Sequence, residues 1–184
     1  FETVVDCEVK SLSREASGWR LHAGEASHGG FDAVIVATPA PQAAPILESG
    51  GVSFAELASV RYAPCLALML AFDGPVAFEG ESLRLETGPI AWIARNSSKR
   101  GRSAEVQTFV VHAGPEWSKA HLDETPEAIL EKLSPHALAL IGAQSAPTYA
   151  IAHRWRYALV EQAVGAACLW DAQALLGACG DYCL

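Results

Sequence analysis

The chain has 184 residues, 51% of them apolar and 18% charged, enough for one ordinary domain or two small lobes around a packed core. Its net charge of −8, from 21 acidic against 13 basic side chains, argues against a nucleic-acid groove, which needs a basic surface. No apolar run approaches the ~20 residues that span a bilayer, and the opening Phe1-Glu2-Thr3-Val4-Val5-Asp6 lacks the basic stretch of a signal peptide.

The first third reads as β-structure. Thr3–Leu12 is rich in Val and ends in a polar turn, Ser13–Gly18. Trp19-Arg20-Leu21-His22 alternates apolar and polar, as a half-exposed strand does. Gly24–Gly30 reads as a turn region, and the run Ala33–Ala37 as a strand buried on both faces, the habit of a parallel sheet flanked by helices. Thr38-Pro39 breaks that strand. A short helix is expected over Ala40–Leu47, since Pro is tolerated in a first turn. A second is expected over Ser53–Val60, with Ser53 as cap and Glu56 three residues on.

The middle changes character. Cys65–Phe72, Ile90–Ala94 and Val106–His112 read as strands and Pro115–Leu122 as a helix. Thr125-Pro126-Glu127 opens the clearest helix, with Thr125 as cap, Pro126 at the first helical position and an apolar face of Ala128, Ile129, Leu130 and Leu133. Ser134-Pro135 is expected to interrupt it before a further helix, His136–Ile141. Thr148–Tyr157 alternates as a strand, with His153, Trp155 and Tyr157 on one face and Arg154 and Arg156 on the other. Ala174–Cys179 is again a short buried strand, closed by Gly180-Asp181. Two β segments of buried, small-residue type thus bracket a separate α+β region: a chain that leaves one sheet, builds a second lobe and returns. Both ends read as cut, because Phe1–Val9 enters strand-like sequence uncapped and no closing helix follows Gly180-Asp181. A fragment of a longer protein is the expectation.

The chemistry-bearing residues form no stand-alone motif. There is no G-x-S-x-G, H-E-x-x-H, P-loop or G-x-G-x-x-G, and no carboxylate pair stands out. Five cysteines, Cys7, Cys65, Cys168, Cys179 and Cys183, are odd in number and include no C-x-x-C. They read as buried free thiols of a reducing, cytoplasmic compartment rather than a disulfide framework or zinc site. His112 and His121 stand nine apart, a weak metal spacing, and no metal site is expected. Arg95, Lys99, Arg100 and Arg102 cluster as a solvated loop, or as a contact for phosphates.

Several segments, in order, resemble the FAD-dependent amine oxidase superfamily and within it the renalase-like branch. Phe31-Asp32-Ala33-Val34-Ile35-Val36-Ala37-Thr38-Pro39 is similar to the family's strand that ends in a turn beside FAD. Arg61-Tyr62-Ala63-Pro64 stands where the substrate lobe opens; Trp92–Arg100, Val110-Val111-His112-Ala113 and Glu116-Trp117-Ser118 follow in the family's order. His153-Arg154-Trp155-Arg156-Tyr157 resembles its W-R strand and Gly177-Ala178-Cys179-Gly180-Asp181 its final strand and turn. The N-terminal βαβ unit with its Gly-rich turn is a departure, being absent.

The resemblance implies an α/β fold: part of a Rossmann-like FAD-binding sheet with an inserted α+β substrate domain built on a mixed or antiparallel sheet. The implied boundaries are 1–47 and 161–184 for the FAD-binding part and 48–160 for the substrate part. FAD is the implied cofactor, with Val9, Ala37, Thr38, Pro39, Gly180 and Asp181 toward it, though an ordinary βα turn, a Gly-Asp turn and a core valine are the plain alternatives. Trp155, Tyr157, His112 and Arg95 are candidates for the substrate cavity, and the core face of a strand is the alternative for the two aromatics. The implied reaction takes a hydride from a reduced nicotinamide-type dinucleotide or an amine and passes electrons to oxygen, with no nucleic acid or membrane as partner and no catalytic acid or base required. The isolated fragment is expected to be inactive and to lose FAD. Another flavin amine oxidase or desaturase, and a non-enzymatic α+β binding module, are the rival readings.

Overall fold

A computed structural model of the chain describes residues 2–103 and 105–184; Phe1, where the first strand is expected to open, lies outside them. Among the described residues the fold is mixed α/β with three sheets. The chain divides into two compact units, the first reaching to Arg61 and resuming over Val160–Leu184, the second formed by Tyr62–Leu159. The strands and helices are β1 (Ser11–Glu15), β2 (Gly18–Ala23), β3 (Ala26–Phe31), β4 (Val34–Val36), α1 (Ala40–Ser49), β5 (Arg61–Phe72), β6 (Ser82–Arg84), β7 (Ile90–Arg95), β8 (Gln107–Ala113), α2 (Pro115–Ala120), α3 (Pro126–Ile141), β9 (Tyr149–Gln162), β10 (Leu169–Asp171) and β11 (Leu176–Ala178). Positions 47 and 48 lie side by side within α1, so the first unit runs through them to Arg61.

In the first unit β1, β2 and β3 form an antiparallel sheet. The Val-rich opening is not a strand: ladder pairing begins where the Lys10 amide donates to the His22 carbonyl at 2.8 Å, and Val4 and Val5 stay 53% and 74% exposed. The stretch expected as a turn over Ser13–Gly18 is mostly ladder. Gly18 alone holds a left-handed φ of 119°, and a Cβ there would lie 2.5 Å from the Phe31 carbonyl oxygen. The Gly29-Gly30 pair also sits inside a strand: a register shift opposite Trp19 and Arg20 is absorbed by Gly30 at φ 85°, while Gly29 leaves space for the Arg20 guanidinium. Glycines that signal a turn are here the mark of a bulge.

β4 and β11 run parallel, and β10 pairs with β11 antiparallel. β4 is shorter than its apolar run and is buried on one face, with Val34 and Val36 inside and Ile35 62% exposed. The closing strand likewise shortens to Leu176–Ala178, because Ala174 and Leu175 belong to the β10–β11 turn. Trp19, 2% exposed, donates its indole N–H to the Ala174 carbonyl at 2.9 Å and so ties the first sheet to that turn. At the end of α1 the Ser49 hydroxyl accepts the Leu12 amide at 2.8 Å and donates to Ile46, fixing the helix against β1. The expected Ser53 cap is not made: Phe54 occupies the cap position of a short 3-10 turn, Ala55–Ser59, with no side-chain bond.

The second unit is a five-stranded sheet in the order β6-β7-β8-β5-β9 with α3 across one face. Leu66, Leu68, Leu70 and Phe72 of β5 and Phe109 and Val111 of β8 pack with Ile129, Leu133, Ala137 and Ile141 of α3. Thr125 caps α3, accepting the Ala128 amide at 3.3 Å, and Gly142 closes it in the left-handed region at φ 67°. The helix runs unbroken through Pro135. That residue is exposed, so the carbonyl it leaves without a helical donor faces water, while the buried stripe continues from Leu133 to Ala137. Ser118 of α2 is fully buried and is satisfied by accepting the Leu66 amide at 3.1 Å.

Candidate functional site

The parallel register of β4 and β11 places Val36 beside Ala178, so the segments that leave the two strands start from one edge of the sheet. Ala37-Thr38-Pro39 follows β4 and leads straight into α1; Cys179-Gly180-Asp181 follows β11, and the Cys179 amide donates back to the Val36 carbonyl at 3.2 Å. Carboxyl ends of parallel strands are where sheets of this class hold ligands. A cleft of about 680 Å³ opens along β4 and the turn that follows it, walled by Val9, Val36, Ala37, Thr38, Pro41 and Ile46 among others. Val9, Ala37 and Thr38 therefore line one cavity, while Pro39, Gly180 and Asp181 stand at the strand ends outside its wall.

Four features mark this edge. The Thr38 hydroxyl is buried at its oxygen and has no hydrogen-bond partner among the described residues, an arrangement that costs free energy unless a ligand completes it. The turn it belongs to is built of small side chains, which lets a ligand approach the backbone. Gly180 is in extended backbone that any residue adopts, but a Cβ there would lie 2.5 Å from the Tyr182 ring, so the close approach selects glycine. Asp181 is the exposed first residue of a 3-10 turn, Asp181–Cys183, free to meet a hydroxyl.

The other candidates belong to the second unit, and the strand register sorts them by face. Phe109 and Val111 of β8 point to α3, so Val110 and His112 point the other way; Ala67 and Trp92 stand opposite His112 in the neighbouring strands. Trp92 and His112 stack at 4.9 Å. On β9, Ala150 and Ala152 belong to the α3 side, so His153 and Trp155 share the opposite face with His112. Trp155 is 55% exposed and contacts His153 at 4.5 Å, and Tyr157 packs on Tyr62 at 5.3 Å. Burial pushes the pKa of His112 below its ordinary value, which favours the neutral imidazole.

Arg95 departs from this set. Its guanidinium donates to the Phe78 carbonyl and lies over the Phe78 and Phe109 rings at 5.6 and 5.8 Å, on the α3 side of the sheet. It braces the core and does not join Lys99 and Arg100, which are exposed, in a phosphate-binding cluster. Arg154 and Arg156 also face away from Trp155, one bonded to the Glu124 carbonyl at 2.6 Å and one to Asp123 at 3.2 Å. Trp92 was not singled out from the sequence. Its alternation with Ile93 in β7 is the signal that finds it, once β8 supplies the partner.

Among the described residues no group of three His, Cys, Asp or Glu is placed to hold a metal ion, and no helix is long and apolar enough to cross a membrane. His121, the second histidine weighed for metal, instead bonds Glu124 at 2.8 Å and stacks on Trp117 at 4.1 Å.

The structure is similar to that of a protein from Exiguobacterium sp. 255-15 named for protoporphyrinogen oxidase, at 16% identity and a TM-score of 0.69 over 95% of this chain and 41% of that one. It is similar to an oxidoreductase from Methanosarcina mazei, at 16% identity and a TM-score of 0.62 over 96% and 44%. It is also similar to cyclohexylamine oxidase from Brevibacterium oxydans IH-35A, at 12% identity and a TM-score of 0.58 over 96% and 43%. The chain spans less than half the length of these solved structures, and at such identity they speak for the fold. The family model described as flavin containing amine oxidoreductase matches residues 2–170. The chain belongs to the flavin-containing amine oxidoreductase family, and its cofactor is a flavin.

Proposed function

We propose that the protein carrying this chain is an FAD-dependent, renalase-like oxidoreductase that takes a hydride from an amine or a reduced nicotinamide-type dinucleotide and passes the electrons to oxygen. The observation that carries the reading is the cleft beside β4 and the start of α1, with the unpartnered Thr38 hydroxyl in its wall. In this reading the first unit is the FAD-binding part and the second the substrate part. Bound FAD supplies the hydride acceptor. Val9, Ala37 and Thr38 hold one end of it, the Pro39 turn directs α1 away from it, and Asp181, set by the Gly180 turn, accepts a hydroxyl.

The second unit's part is positional. Trp92 on β7 and Trp155 on β9 offer aromatic faces on one side of the sheet to a planar or cationic nitrogen substrate, with Tyr157 farther along β9. Neutral His112 accepts or donates a hydrogen bond without adding a positive charge that repels an ammonium. Cyclohexylamine oxidase among the similar structures supports the amine. The bracing role of Arg95 removes one support for a phosphate-bearing substrate.

The test is anaerobic mixing of the full-length flavoprotein with a panel of primary amines and with mis-reduced NADH isomers, following flavin bleaching. Rapid bleaching by the isomers alone supports the renalase-like form, and bleaching by amines alone supports a conventional amine oxidase. No bleaching by either contradicts the proposal.

A further inference from the structure

The β10–β11 hairpin carries a cysteine at each of its open ends. Leu169 pairs with Ala178, Trp170 with Gly177 and Asp171 with Leu176, so the next step of the same ladder sets Cys168 against Cys179. The hydrogen bonding of β11 shows which kind of pair this is. The Leu175 carbonyl accepts from Val34, and the Cys179 amide donates to Val36. The odd-numbered residues of β11 thus turn their backbone groups toward β4, and the even-numbered ones toward β10. Gly177 opposite Trp170, and Cys179 opposite Cys168, are therefore non-hydrogen-bonded positions, where antiparallel Cα atoms approach to about 4.5 Å. That spacing lies within the range a disulfide spans, about 4.4–6.8 Å. Gly177 keeps the pair close: a Cβ there would lie 2.4 Å from the Leu169 carbonyl oxygen and 2.6 Å from the Trp170 ring.

All five cysteines are free, and they differ in access. Cys168 is exposed, Cys179 is half-buried, and Cys183 is buried. The expectation of uniformly buried thiols therefore fails at Cys168, which sits just outside the ladder where solvent reaches it. Cys183 is the one competitor nearby, since its carbonyl accepts the Ala166 amide at 2.7 Å. Burial pushes its thiol up, which holds it in the unreactive form.

We propose that Cys168 and Cys179 are a cross-strand dithiol that closes to a disulfide when the protein meets a peroxide. The Cys168 thiolate attacks the peroxide: an S–O bond forms, the O–O bond breaks, and the leaving hydroxide takes a proton to become water. The Cys179 thiolate then attacks the sulfenic sulfur: the S–S bond forms, the S–O bond breaks, and hydroxide leaves and is protonated. Hydrogen peroxide gains two electrons and two thiols lose them, with two waters formed. Cys168 is the attacking residue because it is the exposed one, and Cys179 the resolving one because the register, extended by one step, sets it opposite. Neither step depends on the flavin.

The experiment is to expose the full chain to excess hydrogen peroxide, count thiols, and map linked peptides by mass. The expected result is loss of two of the five thiols, a mass lower by two hydrogens, a Cys168–Cys179 linked peptide, and full recovery with dithiothreitol. C179S is expected to leave Cys168 as a sulfenic or sulfinic acid with no link, and C183S to form the link as the parent does. A link through Cys183, a Cys168 that gains oxygen while Cys179 stays a thiol in the parent chain, or no loss of thiol would each overturn the proposal.

Discussion

A buried hydroxyl without a partner is a cost that folding alone leaves unexplained, and Thr38 carries one in the wall of the cleft. Thr38→Val should leave the flavin-free protein as stable or slightly more so, and weaken flavin binding about fivefold, for the loss of one hydrogen bond of about 1 kcal/mol. Thermal melts and a flavin titration read the two effects separately; a Thr hydroxyl with a purely structural role would lower the melting temperature and leave affinity alone. Arg95 makes the opposite prediction. Because it bonds the Phe78 carbonyl and covers two rings, Arg95→Ala should cost about 2–3 kcal/mol of stability and leave KM for phosphate-bearing and neutral substrates in an unchanged ratio. His112 adds a pH dependence. Its folded pKa lies below its unfolded one, so the stability linked to it is full above the unfolded value, near 6.5. That stability falls away as the pH drops from there through the lowered folded value. The urea midpoint of the parent should thus drop more between pH 7.5 and 5 than that of His112→Gln.

Elements were legible wherever local chemistry and tertiary packing agree. The cap, first-turn proline and apolar stripe of α3 all point the same way, and the helix starts at Pro126 as they require. Thr125→Ala should cost about 1 kcal/mol by the loss of that cap. Pro135 misled because its local penalty is real and is overridden by the buried stripe on either side. Pro135→Ala should accordingly stabilise the second unit by about 1–3 kcal/mol, the helical cost of proline where its ring faces water; no change in the urea midpoint would show the penalty already relieved. The glycines before β4 misled for the same kind of reason, since a bulge and a turn draw on one residue type. β6 and β10 are three residues each and carry no periodicity to read.

At the scale of the whole molecule, the fold class and the family stood in the sequence as an order of weak matches, and the segments of the candidate site were legible one by one. The Ala37-Thr38-Pro39 and Gly180-Asp181 turns were readable because each follows an apolar run. Their meeting at one sheet edge depends on the parallel pairing of β4 with β11, across more than a hundred residues, which no local pattern encodes. The place of Arg95 was not readable, because its neighbours in sequence are solvent-facing cations while its partners, Phe78 and Phe109, come from elsewhere in the second unit. The central claim is that the cleft beside β4 receives the flavin. It is tested most directly by the flavin absorbance of the purified full-length protein and of its Ala37→Trp variant, which fills the cleft from an exposed position. The account predicts equimolar flavin in the parent and little or none in a variant that keeps the parent's circular dichroism. Equimolar flavin retained by a folded Ala37→Trp protein would contradict it.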